Sequence, residues 1–465
     1  MRNAKLKASI TEGPIFTRLL LFTVPIILSG LLQVMYNIAD NIVVGRFSGD
    51  ELALAAVGST SSLTTLVVNF LMGLATGSGV VIAQAFGAGD KPRTSRSIHT
   101  AITFSVISGL AFGALAFGFS YPALEIMKTK PELMSRAVTY FRIICLGIPA
   151  STVYNFGSAA LRSVGNSKTP LYILTVSGIV NVALNLFFVI ICGMAVEGVA
   201  LATITSQYLS AAAVLFVLFK SKNEESRLDL TKMRLDKAIL ARILRFGLPA
   251  GIQGSLFSIS NILLTSAVNT LPTTAVSAKT ISFNIDGMVY TAMNSYLHSA
   301  MTFVGQNYGA CRPDRIKKSI LYALCQVAFI GIALGQLIIY FSPQIVSMYI
   351  SPTDPNFEAV SAAAVDLTHF ILSLYFMAGI METLSGSLRG LGNSMAPMVI
   401  SIIGTCVVRI IWIYVFFPMK EFNFLVGLYY CYPISWSLTI AALVITLLVT
   451  WRSVKRRLTA SDAAA

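Results

Sequence analysis

Charge is scarce in this chain. Asp, Glu, Lys and Arg make up 12% of its 465 residues, about half the share of an ordinary soluble domain. Mean hydropathy is +0.75 and 55% of residues are hydrophobic, which excludes a soluble globular domain and points to a polytopic membrane protein. Acidic residues are the scarcer sign, 20 against 34 basic, for a net charge of +14. Such an excess suits nucleic acid only when it is clustered on one face. Here Lys and Arg fall in short breaks between apolar runs, so no nucleic-acid partner is expected. The three histidines, His99, His298 and His369, lack metal-ligand spacing. The six cysteines form no CxxC pair and read as small apolar side chains. No metal or organic cofactor is therefore expected. No selectivity-filter-like loop or ring of like charge suggests a channel. No His–carboxylate or Ser–Lys cluster suggests an enzyme. The opening "MRNAKLKASITEGPIFTR" runs into apolar sequence without a small-residue cleavage site, and reads as the lead-in to a retained first helix.

What is present is a series of long apolar runs. A bilayer crossing needs about 20 such residues. Twelve runs qualify, near 17–44, 54–84, 97–121, 134–158, 169–192, 196–219, 240–269, 274–304, 317–341, 359–384, 396–418 and 424–450. Twelve spans put both termini on one side. That side receives "MRNAKLK", "GDKPRTSR", "LRSVGNSK", "KSKNEESRLDLTKMRLDK", "CRPDRIKK", "LRGLGNS" and "WRSVKRR", which hold nearly all the Lys and Arg of the breaks. By the positive-inside rule this side, with both termini, is cytoplasmic.

The chain also repeats itself. "RLLLFTVPIILSGLL" from Arg18 returns as "RILRFGLPAGIQGSL" from Arg242, "AQAFGAGDKP" from Ala83 as "GQNYGACRP" from Gly305, and "LRSVGNSKTP" from Leu161 as "LRGLGNSMAP" from Leu388. The offsets are 224, 222 and 227 residues, so a six-helix unit is duplicated. Six is even, so both copies insert in the same orientation, related by an axis along the membrane normal. The expected fold is all-α, with twelve transmembrane helices in two pseudo-twofold-related lobes. Residues 1–219 form the N-terminal lobe, 220–237 a basic cytoplasmic linker lying against anionic headgroups, and 238–465 the C-terminal lobe. Such an arrangement suits alternating access.

Several polar groups interrupt the spans. A charge in hydrocarbon costs about 2.5–3.5 kcal/mol on insertion scales, so Asp40 must face an interior, pair, or take up a proton. Gln33, Tyr36, Asn37 and Asp40 share one helix face at i, i+3, i+4 and i+7, and that stripe is expected to face the inside of the first lobe. The alternative is a solvated charge at the outer helix end. In the second half Asp286 and Glu382 are intramembrane acids, with Lys279, Arg389 and Arg409 as candidate counter-ions. Met35, Tyr36, Phe283, Met288, Tyr290, Met293 and Tyr296 are candidates to line a cavity for organic cations, through cation–π contact and the adaptability of methionine; packing is the competing role for each. Pro25 and Pro249 match between repeats and kink the first helix of each half.

The duplicated PxxxxG first helix, the repeated Q-x-x-G-A loop and the twice-used LRxxGN(S)xxP turn resemble the multidrug and toxic compound extrusion (MATE) family, over essentially the whole chain. The resemblance implies a two-lobed antiporter exporting organic cations against an inward proton or sodium gradient. It implies ion coupling at Asp40, with Tyr36, Asn37, Tyr140, Asn181, Asn185 and Thr203 as the surrounding network. Substrate binding is expected at Gln33, Met35, Asp286, Met288, Tyr290, Met293 and Glu382. Some members carry an aspartate where this chain has Asn185, which lessens the charge available to hold sodium and favours protons. Another branch relies on acids where Phe257 and Ala378 stand here, which puts that second-lobe cation site in doubt. The expectation is a proton-coupled exporter, acting as a monomer among membrane lipids in a prokaryotic cytoplasmic membrane. The alternatives are a lipid-linked oligosaccharide flippase, against which the paucity of intramembrane Arg and Lys counts, and a non-transporting scaffold or receptor.

Overall fold

In a computed structural model, which describes residues 10–47, 50, 52–350 and 355–462, the chain is helical, with no strand among those residues. The basic stretch "MRNAKLK" lies outside them. Each expected span corresponds to a helix. They are α1 Ile15–Phe47, α2 Ala53–Gly87, α3 Lys91–Gly118, α4 Pro131–Ser163, α5 Lys168–Ile191, α6 Val196–Phe219, α7 Lys237–Val268, α8 Thr273–Gly309, α9 Pro313–Ser347, α10 in two segments (Phe357–Leu374 and Phe376–Gly390), α11 Met395–Phe416 and α12 Leu425–Leu458. Eleven described helices are long and apolar enough to cross a bilayer. The exception is α8, which carries Lys279, Asp286 and His298 and is diluted by them. The protein is a polytopic membrane protein.

Two of the three repeated motifs turn out to be helix-ending turns. At the end of α4, Gly165 has φ 92°. The Asn166 N–H reaches back to the Leu161 carbonyl and the Gly165 N–H to that of Arg162, both at 2.9 Å. This is the paired 6→1 and 5→2 bonding that closes a helix with a left-handed residue. The Asn166 side chain then accepts from the Thr169 N–H at 3.1 Å and opens α5. The second copy does the same: Gly392 has φ 89°, and Asn393 accepts from the Ala396 N–H at 3.2 Å. The turn after α2 uses Gly89 at φ 69°, whereas its counterpart after α8 places Cys311 at φ 54°.

The residues form two compact units, 24–255 and 10–23 with 256–462. In the first, α4 is the hub, packed on α2, α3 and α6. The start of α7 joins this unit through glycines: a Cβ on Gly73 would lie 2.1 Å from the Gly251 nitrogen, and one on Gly77 2.4 Å from that of Gly247. Two GxxxG faces thus bring α2 and α7 into backbone contact, as small residues do in membranes. In the second unit α8 is the hub, packed on α9 and both segments of α10. The start of α1 joins it through Thr23, whose hydroxyl donates to that of Ser299 at 2.8 Å, and through an edge-to-face contact of Phe22 with Phe303. Arg315 fastens the approach to α1 by donating to the carbonyls of Ile10, Glu12 and Gly13.

The linker is built onto α3. The Asp229 N–H donates to His99 Nε2 at 2.9 Å, and the Asp236 N–H to Thr100 Oγ1 at 3.3 Å.

Candidate functional site

The first unit gathers polar groups around Asp40. Its Oδ1 accepts from Asn185 Nδ2 of α5 at 2.5 Å, and its Oδ2 from Thr203 Oγ1 of α6 at 3.4 Å. The same Asn185 amide reaches Asn181 Oδ1 at 3.4 Å, one turn earlier on α5. Asn185 is fully buried, and its Oδ1 has no hydrogen-bond partner among the described residues. The π-helical turn Phe187–Ile191 follows directly, the kind of irregularity that recurs at functional sites. Tyr140 of α4 lies within electrostatic reach of Asp40 and packs on an apolar cluster that includes Val43, Val44 and Val199.

Tyr36 stands one turn before Asp40. Its hydroxyl donates to the Thr175 carbonyl at 3.3 Å, and its ring sits where Gly178 has no side chain: a Cβ there would fall 1.7 Å from Tyr36 Cζ. Close approach of α1 to α5 at this point therefore requires glycine.

The expected stripe divides. Tyr36 and Asp40 are partly buried, but Gln33 and Asn37 are exposed, and neither is drawn into the network around Asp40. Asn37 lies about 100° around the helix from Tyr36, too far to follow it onto α5. Met35 is 58% exposed. The structure thus brings Asp40, Asn181, Asn185 and Thr203 together directly, sets Tyr36 and Tyr140 beside them, and leaves Asn37 out.

In the second unit Asp286 is partly buried and has Lys279 as its electrostatic partner. Lys279 itself donates to Thr265 Oγ1 at 3.1 Å and lies 4.8 Å from the Phe283 ring centroid. Arg409, a candidate counter-ion, is instead stacked on Tyr432, 3.9 Å from the ring centroid. Tyr432 in turn contacts Tyr429 and Trp436, and Trp436 contacts Tyr375. Sequence reasoning passed over this aromatic group: Tyr429, Tyr432 and Trp436 recur at i, i+3 and i+7 near the start of α12, but Tyr375 joins them from the break within α10, which no spacing announces. Glu382 is only 3% exposed, with the Tyr290 hydroxyl and Arg389 as neighbours; internal pairing, not an open binding face, is its arrangement. Met293 departs from the expected lining role. It is fully buried, and its sulfur fills the space left by Gly331 of α9 and Gly379 of α10. Met288 is partly buried and Tyr290 is 37% exposed, its hydroxyl accepting from Asn294 Nδ2 at 3.3 Å.

Chemically, the Asp40 group is a carboxylate held by two neutral donors, with amide and hydroxyl oxygens at hand. It can exchange these donors for a proton, or share a small cation with the neighbouring oxygens. It has no nucleophile–base pair and resembles no hydrolytic or redox centre.

The MatE family profile matches residues 25–187 and 249–415, one copy in each half. The probable multidrug resistance protein YoeA of Bacillus subtilis is 31% identical over 391 residues, covering 82% of this chain and 82% of that protein. The probable multidrug resistance protein NorM of Thermotoga maritima is 24% identical, covering 84% of this chain and 83% of that one. Among solved structures, the outward-facing conformation of a multidrug resistance MATE family transporter superimposes with a TM-score of 0.84 over 97% of both chains at 21% identity, which speaks to the fold. With its duplicated profile and twelve-helix, two-lobe fold, the chain belongs to the multidrug and toxic compound extrusion family, a family of membrane transporters and not of enzymes.

Proposed function

We propose that the protein is a secondary active antiporter that exports organic cations across a prokaryotic cytoplasmic membrane in exchange for protons, by alternating access. Asp40 is the coupling carboxylate. The observation that carries this reading is the contact of one intramembrane carboxylate with donors from two other helices, Asn185 of α5 and Thr203 of α6. A proton arriving on Asp40 removes the charge those donors hold, so its arrival and departure rearrange α1 against α5 and α6. Transport then follows from a differential preference of two conformations for the proton and the drug. The relatives named as multidrug resistance proteins support the substrate class. The Lys- and Arg-rich breaks support cytoplasmic termini.

Sodium is the second reading for the coupling ion. It is favoured by the oxygens of Asn181, Asn185 and Thr203 around the carboxylate, since hard cations take oxygen ligands. A lipid-linked oligosaccharide flippase is disfavoured: its phosphate-bearing substrate calls for a cavity lined by several intramembrane cations, and such residues are few here.

The test uses purified protein in liposomes loaded with ethidium. A pH gradient and a sodium gradient are imposed separately on wild type and on Asp40→Asn. The expected result is that the pH gradient alone drives wild type, and that Asp40→Asn still binds dye but loses gradient-driven transport. Normal transport by Asp40→Asn removes Asp40 from the mechanism and directs attention to Asp286.

A further inference from the structure

Away from the Asp40 group, the first unit carries a cavity of about 280 Å³ where the linker crosses the start of α3. Ser95, Arg96, His99 and Thr100 line it from α3, and Thr231, Lys232, Arg234 and Asp236 from the linker. Three of these side chains are cationic and one, Asp236, is anionic. The Ser95 hydroxyl stands among them, while those of Thr100 and Thr231 donate to the Arg234 carbonyl and to Asp229 Oδ1.

The linker is held in place here by backbone bonds that leave its side-chain charges available. His99 is clamped on both nitrogens: Nδ1 lies 2.7 Å from the Ser95 carbonyl, and Nε2 accepts the Asp229 N–H. Thr100 bridges the Arg234 carbonyl at 3.5 Å and the Asp236 N–H. Thr103 Oγ1 lies 3.8 Å from Met233 Sδ and extends the seam along α3. Lys232 and Arg234 are thereby fixed opposite Arg96 by contacts that do not use their charges.

The charges themselves are loosely committed. Arg96 meets Asp236 at 3.7 Å and Lys232 meets Asp229 at 3.5 Å, with the Arg96 side chain 51% and the Lys232 side chain 67% exposed. Exposed pairs of this kind contribute little, so an incoming anion can redirect both cations at small cost. Guanidinium groups match phosphate oxygens in a two-pronged geometry that a carboxylate partner at 3.7 Å does not satisfy.

We propose that this cavity is a binding site for a phosphate group, gripped by Arg96, Lys232 and Arg234. The phosphate comes either from an anionic lipid headgroup or from a soluble phosphate compound. The lipid source rests on the cytoplasmic placement of the linker proposed above; phosphate binding itself does not depend on which cation is exported. A bound headgroup ties the linker to α3 and thus steadies the connection that precedes α7.

The full-length protein in detergent is titrated with short-chain phosphatidylglycerol, with phosphatidylcholine of the same chain length, and with inorganic phosphate. Binding is read as saturable retention of radiolabelled ligand and as a saturable change in thermal unfolding temperature. Wild type is expected to bind phosphatidylglycerol saturably and more tightly than phosphatidylcholine. Arg96→Gln/Arg234→Gln should weaken that binding tenfold or more while ethidium transport in the uncharged-lipid control persists. Saturation by inorganic phosphate as well identifies a soluble source; saturation by phosphatidylglycerol alone identifies the headgroup. Should the double variant fail to fold, Lys232→Gln, whose side chain is 67% exposed, must show a smaller loss in the same direction. Equal binding of the two lipids, no saturable binding of either anion, or unchanged affinity in these variants overturns the proposal. Failure of ethidium transport in wild type bears on the antiport reading and leaves this binding assay intact.

Discussion

Replacing Asn185 by aspartate should turn sodium into an effective ligand of the Asp40 group. In the wild-type arrangement Asn185 Nδ2 donates to Asp40 Oδ1 at 2.5 Å. Asn185→Asp removes that donor, and a hydrogen bond to a charged group is worth about 1.5–3 kcal/mol. It also sets a second carboxylate beside the first. At a separation of about 4 Å and an effective dielectric constant of about 20, two like charges repel by about 4 kcal/mol. The combined cost, on the order of 6 kcal/mol, must be relieved by a shared proton, a bound cation or local movement of α5. If only a quarter of it is recovered through a cation, that cation binds about tenfold more tightly. The assay is ethidium transport from liposomes at fixed pH with a sodium gradient, together with sodium-dependent thermal stabilisation. The variant should gain a sodium response at least tenfold more sensitive than wild type. Asn185→Ala removes the donor without adding charge and should show no such gain. A folded Asn185→Asp protein whose sodium response equals that of wild type refutes the reasoning, because it means the two side chains do not share one ion-binding space.

Four further outcomes follow from the packing and turns. Gly178→Ala puts a Cβ 1.7 Å from Tyr36 Cζ and must displace the ring from the Thr175 carbonyl; a loss of about 1–3 kcal/mol is expected from overpacking, read as a lower unfolding temperature with reduced transport, and unchanged stability contradicts the α1–α5 contact. Gly77→Leu inserts a side chain against the Gly247 backbone and should abolish the monodisperse peak in size-exclusion chromatography, whereas Gly58→Ala, with open space around its Cβ position, should leave it intact. Cys311→Gly relieves a left-handed residue at φ 54°; strain of about 1–2 kcal/mol set against about 0.5–1 kcal/mol of added chain entropy predicts a small rise in unfolding temperature, and a fall contradicts the turn geometry. Asp50 accepts from the Arg136 guanidinium, which holds its carboxyl below the usual carboxylate range; its contribution is therefore present above the unfolded carboxylate's ordinary value and lost as pH falls through the lowered folded value, so Asp50→Asn should destabilise by less than about 1 kcal/mol at neutral pH and by nothing measurable in strong acid.

The span count and the internal duplication were legible because both rest on properties the chain must display locally. A membrane helix needs an uninterrupted apolar run, and a helix-ending turn needs a residue tolerant of φ > 0 at a fixed place. Gly165 and Gly392 meet the second demand in both copies, which explains why LRxxGN recurs: it is the geometry of a turn, not a ligand site. Cys311 shows the limit of that reasoning, since the same turn is built there without glycine. The Asp40 group was legible in part. A carboxylate in an apolar run and two asparagines one turn apart could be picked out by their cost, but their meeting depends on Gly178, whose role appears only when Tyr36 is seen lying on it. Gln33 and Asn37, on the same arc, stay exposed: spacing defines an arc of a helix, and only the neighbouring helix decides how much of that arc is covered. Met293 makes the same point in the second unit. Nothing in "TAMNSY" distinguishes a methionine that lines a cavity from one that fills the space above two glycines 38 and 86 residues away. In a membrane protein the apolar face toward lipid and the apolar face toward a neighbouring helix have the same composition, so hydrophobic periodicity loses the power to say which way a helix faces. Small residues regain it. The glycine pairs Gly73/Gly77 and Gly247/Gly251 mark a contact surface by what they omit, as do Gly109/Gly113, Gly331/Gly335 and Gly386/Gly390; the sequence thus points to the close-packed faces, and the structure says which of them meet.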